Sequence, residues 1–260
     1  MLKDKIILIT GSSSGIGAAT ARLAKEYGAT PILQGKLIVI DGTDASGKTT
    51  QANLLVRHLK KDGHKVKFIH FPQYEDNFFG KFIAHCLSEQ YYNWVNIHPK
   101  IAAVVYAADR WESKEKINNW MKEGYTVIMD RYISSNQIHQ GGKISNIKKR
   151  QAFIKWLAEM EYNVFKVPVP DLTVYLSLPV ETVLKLIKDR DYKGARAYLC
   201  GKKDVHEKDK NFLKNSIKSA LWLAKTQKNW LKIECMKNKK LRSFDNISEE
   251  IHTKIKKILK

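Results

Sequence analysis

The residues best placed to do chemistry are Gly42-Thr43-Asp44-Ala45-Ser46-Gly47-Lys48-Thr49, which fit the phosphate-loop pattern G-x-x-x-x-G-K-[ST] at every constrained position. Two glycines let a backbone wrap closely around an anion, with successive N–H groups turned inward. Lys48 then reaches the β- and γ-phosphates of a nucleoside triphosphate, and the Thr49 hydroxyl is placed for Mg²⁺. Such a loop needs a strand before it and a helix after it. Leu37-Ile38-Val39-Ile40 is a continuous apolar run suited to a buried parallel strand. From Thr50 to Lys61, Leu54, Leu55, His58 and Leu59 share one helical face, with Thr50 opening the helix beside the phosphates.

Three further sets follow in order. Phe71-Pro72-Gln73-Tyr74 stands just after a second strand, at the carboxyl edge where α/β sheets bind ligands. Tyr106-Ala107-Ala108-Asp109-Arg110-Trp111-Glu112 lies on a helix, and Asp130-Arg131-Tyr132-Ile133-Ser134-Ser135-Asn136 follows another buried strand, with Gln140-Gly141 beyond it. Each set alone reads as core aromatics, a helix salt bridge or a structural Asp. As a set after a phosphate loop, from Gly35 to the carboxyl terminus, they resemble thymidylate kinase.

The resemblance implies the transfer ATP + dTMP → ADP + dTDP with Mg²⁺, and it implies a homodimer. Residue by residue, Asp44 would hold the sugar 3′-hydroxyl of dTMP, Phe71 would border the nucleotide, and Tyr106 would stack on the thymine ring. Arg110 would hydrogen-bond the base edge, and Arg131 would clamp the acceptor phosphate as a forked donor. Asp130 would assist Mg²⁺ through water alongside Thr49. Ser135 and Asn136 would line base and sugar. Two positions depart from relatives: Gln73 and Tyr74 stand where some place an arginine after the F-P pair, and His139 stands where many place an aromatic against the deoxyribose.

Phosphoryl transfer needs positive charge on the migrating group. The phosphate loop here contains no arginine, so the charge is expected from a basic lid at about residues 188–206. There Lys188, Arg190, Lys193, Arg196, Lys202 and Lys203 are interrupted by Gly194 and Gly201. Arg190 and Arg196 are the candidates, acting with Lys48 and Asp44. The alternative for this stretch is a solvated basic loop.

The elements that must position these groups alternate strand and helix from Gly35 onward, which implies an α/β phosphate-loop fold with five parallel strands and helices on both faces. Strands are expected at Lys65–Phe71, Thr126–Met129, Leu172–Leu178 and Trp230–Cys235. Helices are expected over Phe78–Leu87, Pro99–Lys122, Ile147–Phe165, from Val180 to about Arg190, His206–Lys225 and Ile247–Leu259.

Residues 1–34 form a separate unit. Lys5 to Ile9 reads as a buried strand, Thr10-Gly11-Ser12-Ser13-Ser14-Gly15-Ile16-Gly17 as a glycine-rich turn, and an alanine-rich helix runs to about Tyr27, stopped by Gly28. The spacing T-G-x-x-x-G-x-G resembles the first βα turn of the short-chain dehydrogenases. A dinucleotide fold needs a second strand with a ribose-binding residue and several more βα units, whereas here Ala29–Gln34 leads straight into the phosphate-loop strand. Pairs of the form Y-x-x-x-K, at Tyr162/Lys166 and Tyr198/Lys202, are expected by chance in a chain with 11 tyrosines and abundant lysine. The segment is read as a βα fragment, a fusion or extension on the kinase. No NAD(P) chemistry is expected of it.

The 260 residues, 43% of them hydrophobic, suit one α/β domain with an appendage. The formal charge of +20 is mostly lysine spread without a stripe, which argues for a solvated surface and anionic substrates over a nucleic-acid partner. The three cysteines, Cys86, Cys200 and Cys235, form no pair of metal-ligand spacing, and are expected as reduced thiols of a cytoplasmic protein. No apolar run approaches the roughly 18 residues of a membrane span, and no signal peptide is expected at the amino terminus. The remaining rivals are another deoxynucleotide or nucleoside kinase of this fold, an NAD(P)-dependent oxidoreductase, and a non-enzymatic basic nucleotide-binding protein.

Overall fold

The computed structural model describes residues 2–10, 15–88, 94–191 and 210–259. Its centre is a five-stranded, fully parallel sheet. The strands are β3 (Leu37–Gly42), β4 (Val66–His70), β5 (Thr126–Asp130), β6 (Leu172–Ser177) and β7 (Trp230–Glu234), in the spatial order β4-β5-β3-β6-β7. The first two strands of the chain, β1 (Ile6–Thr10) and β2 (Thr30–Gln34), stand apart from this sheet.

Because side chains alternate across a strand, β3 feeds two cores at once. Leu37 and Val39 join Val127, Met129, Phe153 and Leu157 on one face. Ile38 and Ile40 join Leu55, Leu59, Ile128, Ile251 and Ile255 on the other. The second face is covered by α2 (Lys48–Lys61) and by α10 (Phe244–Leu259), the closing helix. The first is covered by α4 (Pro99–Glu112), α5 (Lys114–Lys122), α6 (Ile133–Gly142), α7 (Ile147–Ala158) and α9 (Lys210–Thr226). Two shorter pieces complete the body: α3 (Phe78–Leu87) beside α4, and α8 (Val180–Asp191) after β6. Asp171 pins the entry of β3, accepting from Leu37 N at 2.9 Å and Lys36 Nζ at 2.8 Å.

Several elements differ from the expected boundaries. The helix expected over Pro99–Lys122 breaks at Ser113, whose N–H turns to Arg110 O at 3.2 Å and whose hydroxyl accepts from Asn77 Nδ2. The helix expected to Phe165 widens into a π-helix over Glu159–Val164. The closing helix starts three residues early, because Ser243 Oγ accepts from Asn246 N at 3.2 Å and caps it. A short hairpin, β8 (Met236–Lys237) and β9 (Lys240–Leu241), stands between β7 and that helix. Helix α6 has little apolar periodicity because its buried face is polar: Ser134, Asn136, Gln137 and Gln140 all point inward.

In the amino-terminal unit, Thr30–Gln34, expected as a mere connection, is strand β2. It pairs parallel with β1 from Ile6↔Thr30 to Thr10↔Gln34, with α1 (Gly15–Glu26) crossing between them. The apolar strand Ile6–Ile9 thus finds its partner inside its own unit. Gly35 ties that unit to the body through its N–H to Met121 O at 2.8 Å.

Candidate active site

Strand β3 delivers the phosphate loop at the carboxyl edge of the sheet. A Cβ on Gly42 would lie 2.6 Å from Ser46 Oγ and 3.0 Å from Leu176 O, so only glycine lets the loop close against β6. Lys48 is buried, with Nζ donating to Thr43 O at 2.6 Å and lying 4.0 Å from Asp44 Oδ1. Burial, helped by the Arg131 charge, lowers its pKa to about 8, while Asp44, Asp130 and Asp41 act in the other direction.

Arg131 and Asp130 come from the end of β5. The Arg131 guanidinium donates to Asp44 Oδ1, and its Nη1 lies 3.5 Å from His139 Nε2. Burial opposes the arginine charge, but Asp44, Asp41 and Asp130 more than offset it and raise its pKa. Thr49 Oγ1 donates to Asp130 Oδ2. Among the described residues, Asp130 Oδ1 is buried without a hydrogen-bond partner, as are Thr43 Oγ1 and Ser46 Oγ. Buried polar atoms left this way are rare in folded proteins, and at a phosphate loop they suit a ligand. His139 is held by Ser216 Oγ at 3.2 Å and stacks on Phe212, rings 5.8 Å apart and 12° from parallel.

At the other end of the same cleft, Trp94 Nε1 donates to Tyr106 Oη at 3.1 Å and the two rings meet edge to face. Asp109 organises the loop after β4. It accepts from Gln73 N at 3.1 Å and Asn77 Nδ2 at 2.9 Å, and burial raises its pKa to about 6. Gly80 lets α3 pack onto that loop, since a Cβ there would meet Gln73 O at 1.9 Å. The neighbouring Glu112 accepts from Phe78 N and Phe79 N, setting a carboxylate at the amino end of α3. Arg110 is buried, its Nε and Nη2 both bonded to Glu161.

A cavity of about 590 Å³ joins these two ends. Asp44, Ala45, Gly47, Lys48, Thr49 and Thr50 line it at the loop, with Asp130 and Arg131. Phe71, Tyr106, Arg110, Ser135, Asn136 and His139 line the remainder. Gly42, Thr43 and Ser46 shape the loop from behind it. Of the other expected groups, Arg196 lies outside the described residues, and Arg190 is described only as part of the last turn of α8.

Two residues of the site, Asp41 and Glu161, were not anticipated, and Gln140 was singled out in the sequence without a role. Asp41, immediately before Gly42, accepts from Gly42 N at 2.7 Å, Ser134 Oγ at 2.5 Å and Ser135 Oγ at 2.8 Å, and burial raises its pKa. An acid closing an otherwise apolar strand was the available signal. Ser135 thus faces the cleft with its hydroxyl proton given to Asp41. Gln140 lines the cleft with Oε1 buried and without a partner among the described residues. Glu161 lies 51 residues beyond Arg110, and nothing local marks it.

The thymidylate kinase family model matches residues 40–247. A thymidylate kinase of Plasmodium falciparum is 33% identical over 147 residues, 56% of this chain and 63% of that protein. One from Thermosipho africanus is 28% identical over 223 residues, 85% of this chain and 98% of that protein. The solved thymidylate kinase of Candida albicans shares the fold with a TM-score of 0.65 at 24% identity, covering 86% of this chain and 92% of that one. With four-fifths of its length matched by one family model, the chain belongs to the thymidylate kinase family.

Proposed function

We propose that the cleft transfers the γ-phosphoryl group of ATP to dTMP, with the phosphates of both substrates meeting at Lys48 and Arg131 and thymine lying at Tyr106, Arg110 and Asn136. Family membership makes the chain an ATP-dependent nucleoside monophosphate kinase. The observation that carries the residue assignment is the continuity of the cavity, which is lined both by the phosphate loop and by every residue proposed for dTMP. The acceptor is already an anionic phosphate, so no strong general base is needed. Catalysis is positioning plus charge neutralisation. Arg131 presents a permanent cation to the acceptor phosphate, and Asp44 orients it while its second oxygen serves the sugar. Arg190 and Arg196 are assigned to the migrating phosphoryl group.

Thr49 and Asp130 would hold Mg²⁺. The fit rests on Asp130 Oδ1, which has no partner among the described residues, beside the Thr49 hydroxyl. Among the described residues no cluster of three or more His, Cys, Asp or Glu could hold a metal ion. This suits a cation that keeps its waters and leans on substrate phosphates. When bound, it would neutralise phosphate charge.

A homodimer is supported by Ile101, Val104 and Trp111, exposed along one face of α4. Sedimentation of the purified protein would show a dimer. A cytoplasmic setting is supported by Cys86 and Cys235, both buried free thiols with pKa raised by burial to about 11 and about 12. Among the described residues no helix is long and apolar enough to cross a membrane. The proposal is tested by a coupled assay of ATP against dTMP, dUMP and thymidine. Turnover should be greatest with dTMP, and preference for thymidine over dTMP would refute the acceptor assignment.

A further inference from the structure

Glu161 is a buried carboxylate that the proposed reaction does not use. Its two oxygens accept from Arg110 Nε and Nη2, each at 2.6 Å, and Oε1 also accepts from Asn136 Nδ2 at 3.4 Å. Arg110 comes from α4, Asn136 from α6 and Glu161 from the π-helix, so three separate segments meet on one carboxylate. The wide turn helps to place it. Phe165 N reaches back five residues to Met160 O at 2.9 Å, and Val167 N takes the Glu161 carbonyl at 3.0 Å. Wide turns of this kind occur mostly as single-turn insertions in α-helices, frequently at functional sites.

Arg110 and Asn136 both line the cleft. A guanidinium has five N–H donors and no acceptor, so the part of Arg110 not spent on Glu161 can offer a ligand donors only. An amide could be turned either way, but Asn136 Nδ2 has both its hydrogens engaged, with Ala103 O at 3.1 Å and with Glu161. That leaves Oδ1 as the atom Asn136 can offer. A donor beside an acceptor complements a pyrimidine carrying a 4-oxo group and an N3–H. Cytosine presents a 4-amino donor instead.

We propose that Glu161 is a positioning residue that sets the hydrogen-bond polarity of the base pocket. It holds Arg110 as donor and Asn136 as acceptor, so that a 4-oxo pyrimidine is admitted and a 4-amino one refused. This rests on the assignment of the base to this end of the cleft. The carboxylate is acceptor-only, which is why one group can face a guanidinium and an amide NH₂ together. In Glu161→Gln one acceptor becomes an NH₂ donor of the same size, and either the Asn136 amide must turn over or the arginine must shift.

The test measures kcat/KM for dTMP and dCMP, the KM for ATP, and the rise in melting temperature given by each nucleotide, in wild type, E161Q, E161D and R110A. In E161Q the dTMP-over-dCMP ratio should fall at least about tenfold, as expected when a site built for hydrogen bonds loses their pattern. The KM for ATP should stay put, and E161D should keep part of the ratio. A folded E161Q with a lower melting temperature and an unchanged ratio would overturn the proposal and leave Glu161 as a brace. If E161Q does not fold, an unchanged ratio in E161D overturns it equally. Failure of the wild type to phosphorylate dTMP would instead sink the site assignment. Loss of the ratio in R110A but not E161Q would sink only the role of Glu161.

Discussion

Strands β1 and β3 are alike in sequence, short apolar runs leading towards glycine-rich turns and helices, yet they sit in different surroundings. β3 lies at the middle of five parallel strands, hydrogen-bonded to β5 and β6, with every residue buried. Among the described residues β1 pairs with β2 alone, and Ile6 at its start is 73% exposed. Among the described side chains, those buried between α1 and its strands are Ile9, Ala21, Ala24 and Ala29. The strand order also decides what reaches each turn. β5, next to β3, brings Asp130 to Thr49 and Arg131 to Asp44, across 81 and 87 residues of chain. A glycine turn becomes a site when neighbouring strands deliver charge to it, and β1 has one neighbour to β3's two.

If that contrast is right, the phosphate loop should fail hardest when its own cation is removed. Lys48→Ala should lower kcat/KM roughly 10²- to 10³-fold, the scale of losing one aimed electrostatic contact in a closed site. Its circular dichroism should be unchanged. Retained activity would mean that the loop is not where transfer occurs. Arg190→Ala and Arg196→Ala should come next, each lowering kcat more than about tenfold while the KM for dTMP changes little, because a lid cation acts mainly in the transition state. Either variant keeping full kcat would remove that arginine from the mechanism.

The same crowding of charge predicts a pH effect. The free enzyme binds phosphates best with Lys48 as an ammonium, and its pKa is lowered to about 8. The proton is therefore present below pH 8 and lost as pH rises through it. The kcat/KM for ATP should decline above about pH 8, approaching tenfold per unit. Lys48→Arg, with a far higher pKa, should lose this limb. A wild-type profile flat to pH 10 would show that Lys48 remains charged in the free loop.

How much of this could be read from sequence follows from what is local. The phosphate loop is contiguous, and its glycines, lysine and threonine are required by the backbone they create, so eight successive residues reveal it. The five strands were legible because β3, β5 and β6 are short, mostly apolar runs, and β4 and β7 keep apolar residues on either side of a single lysine. Helix α6 was not, because Ser134 and Gln140 turn polar groups inward and erase the apolar period. Glu161 was invisible for a different reason: its meaning depends on a π-turn and on Arg110, 51 residues away. Asp41 lay in plain view, but a single acid at a strand end gains significance only when Ser134 and Ser135 are folded onto it. Strand β2 was missed because Pro31 and the short Ile32-Leu33 pair resemble a linker until β1 lies alongside.

The smallest expected effect is the one that sharpens the comparison most. Deleting Met1 to Gln34 should leave kcat and KM for dTMP within about twofold, because β3 keeps both its neighbours and every residue proposed for catalysis lies beyond Gly35. Gly35, whose N–H reaches Met121 O on α5, remains in the truncated chain. The Thr10–Gly17 turn has the glycines of a pyrophosphate cradle. A cradle offers few contacts without the later strands that hold adenosine and nicotinamide. The full chain should therefore show no saturable NADPH quenching of its fluorescence, and no dehydrogenase turnover. Quenching that saturates and vanishes in Gly15→Ala would give β1 a site after all. A truncated protein that folds but cannot phosphorylate dTMP would show that the two units work as one.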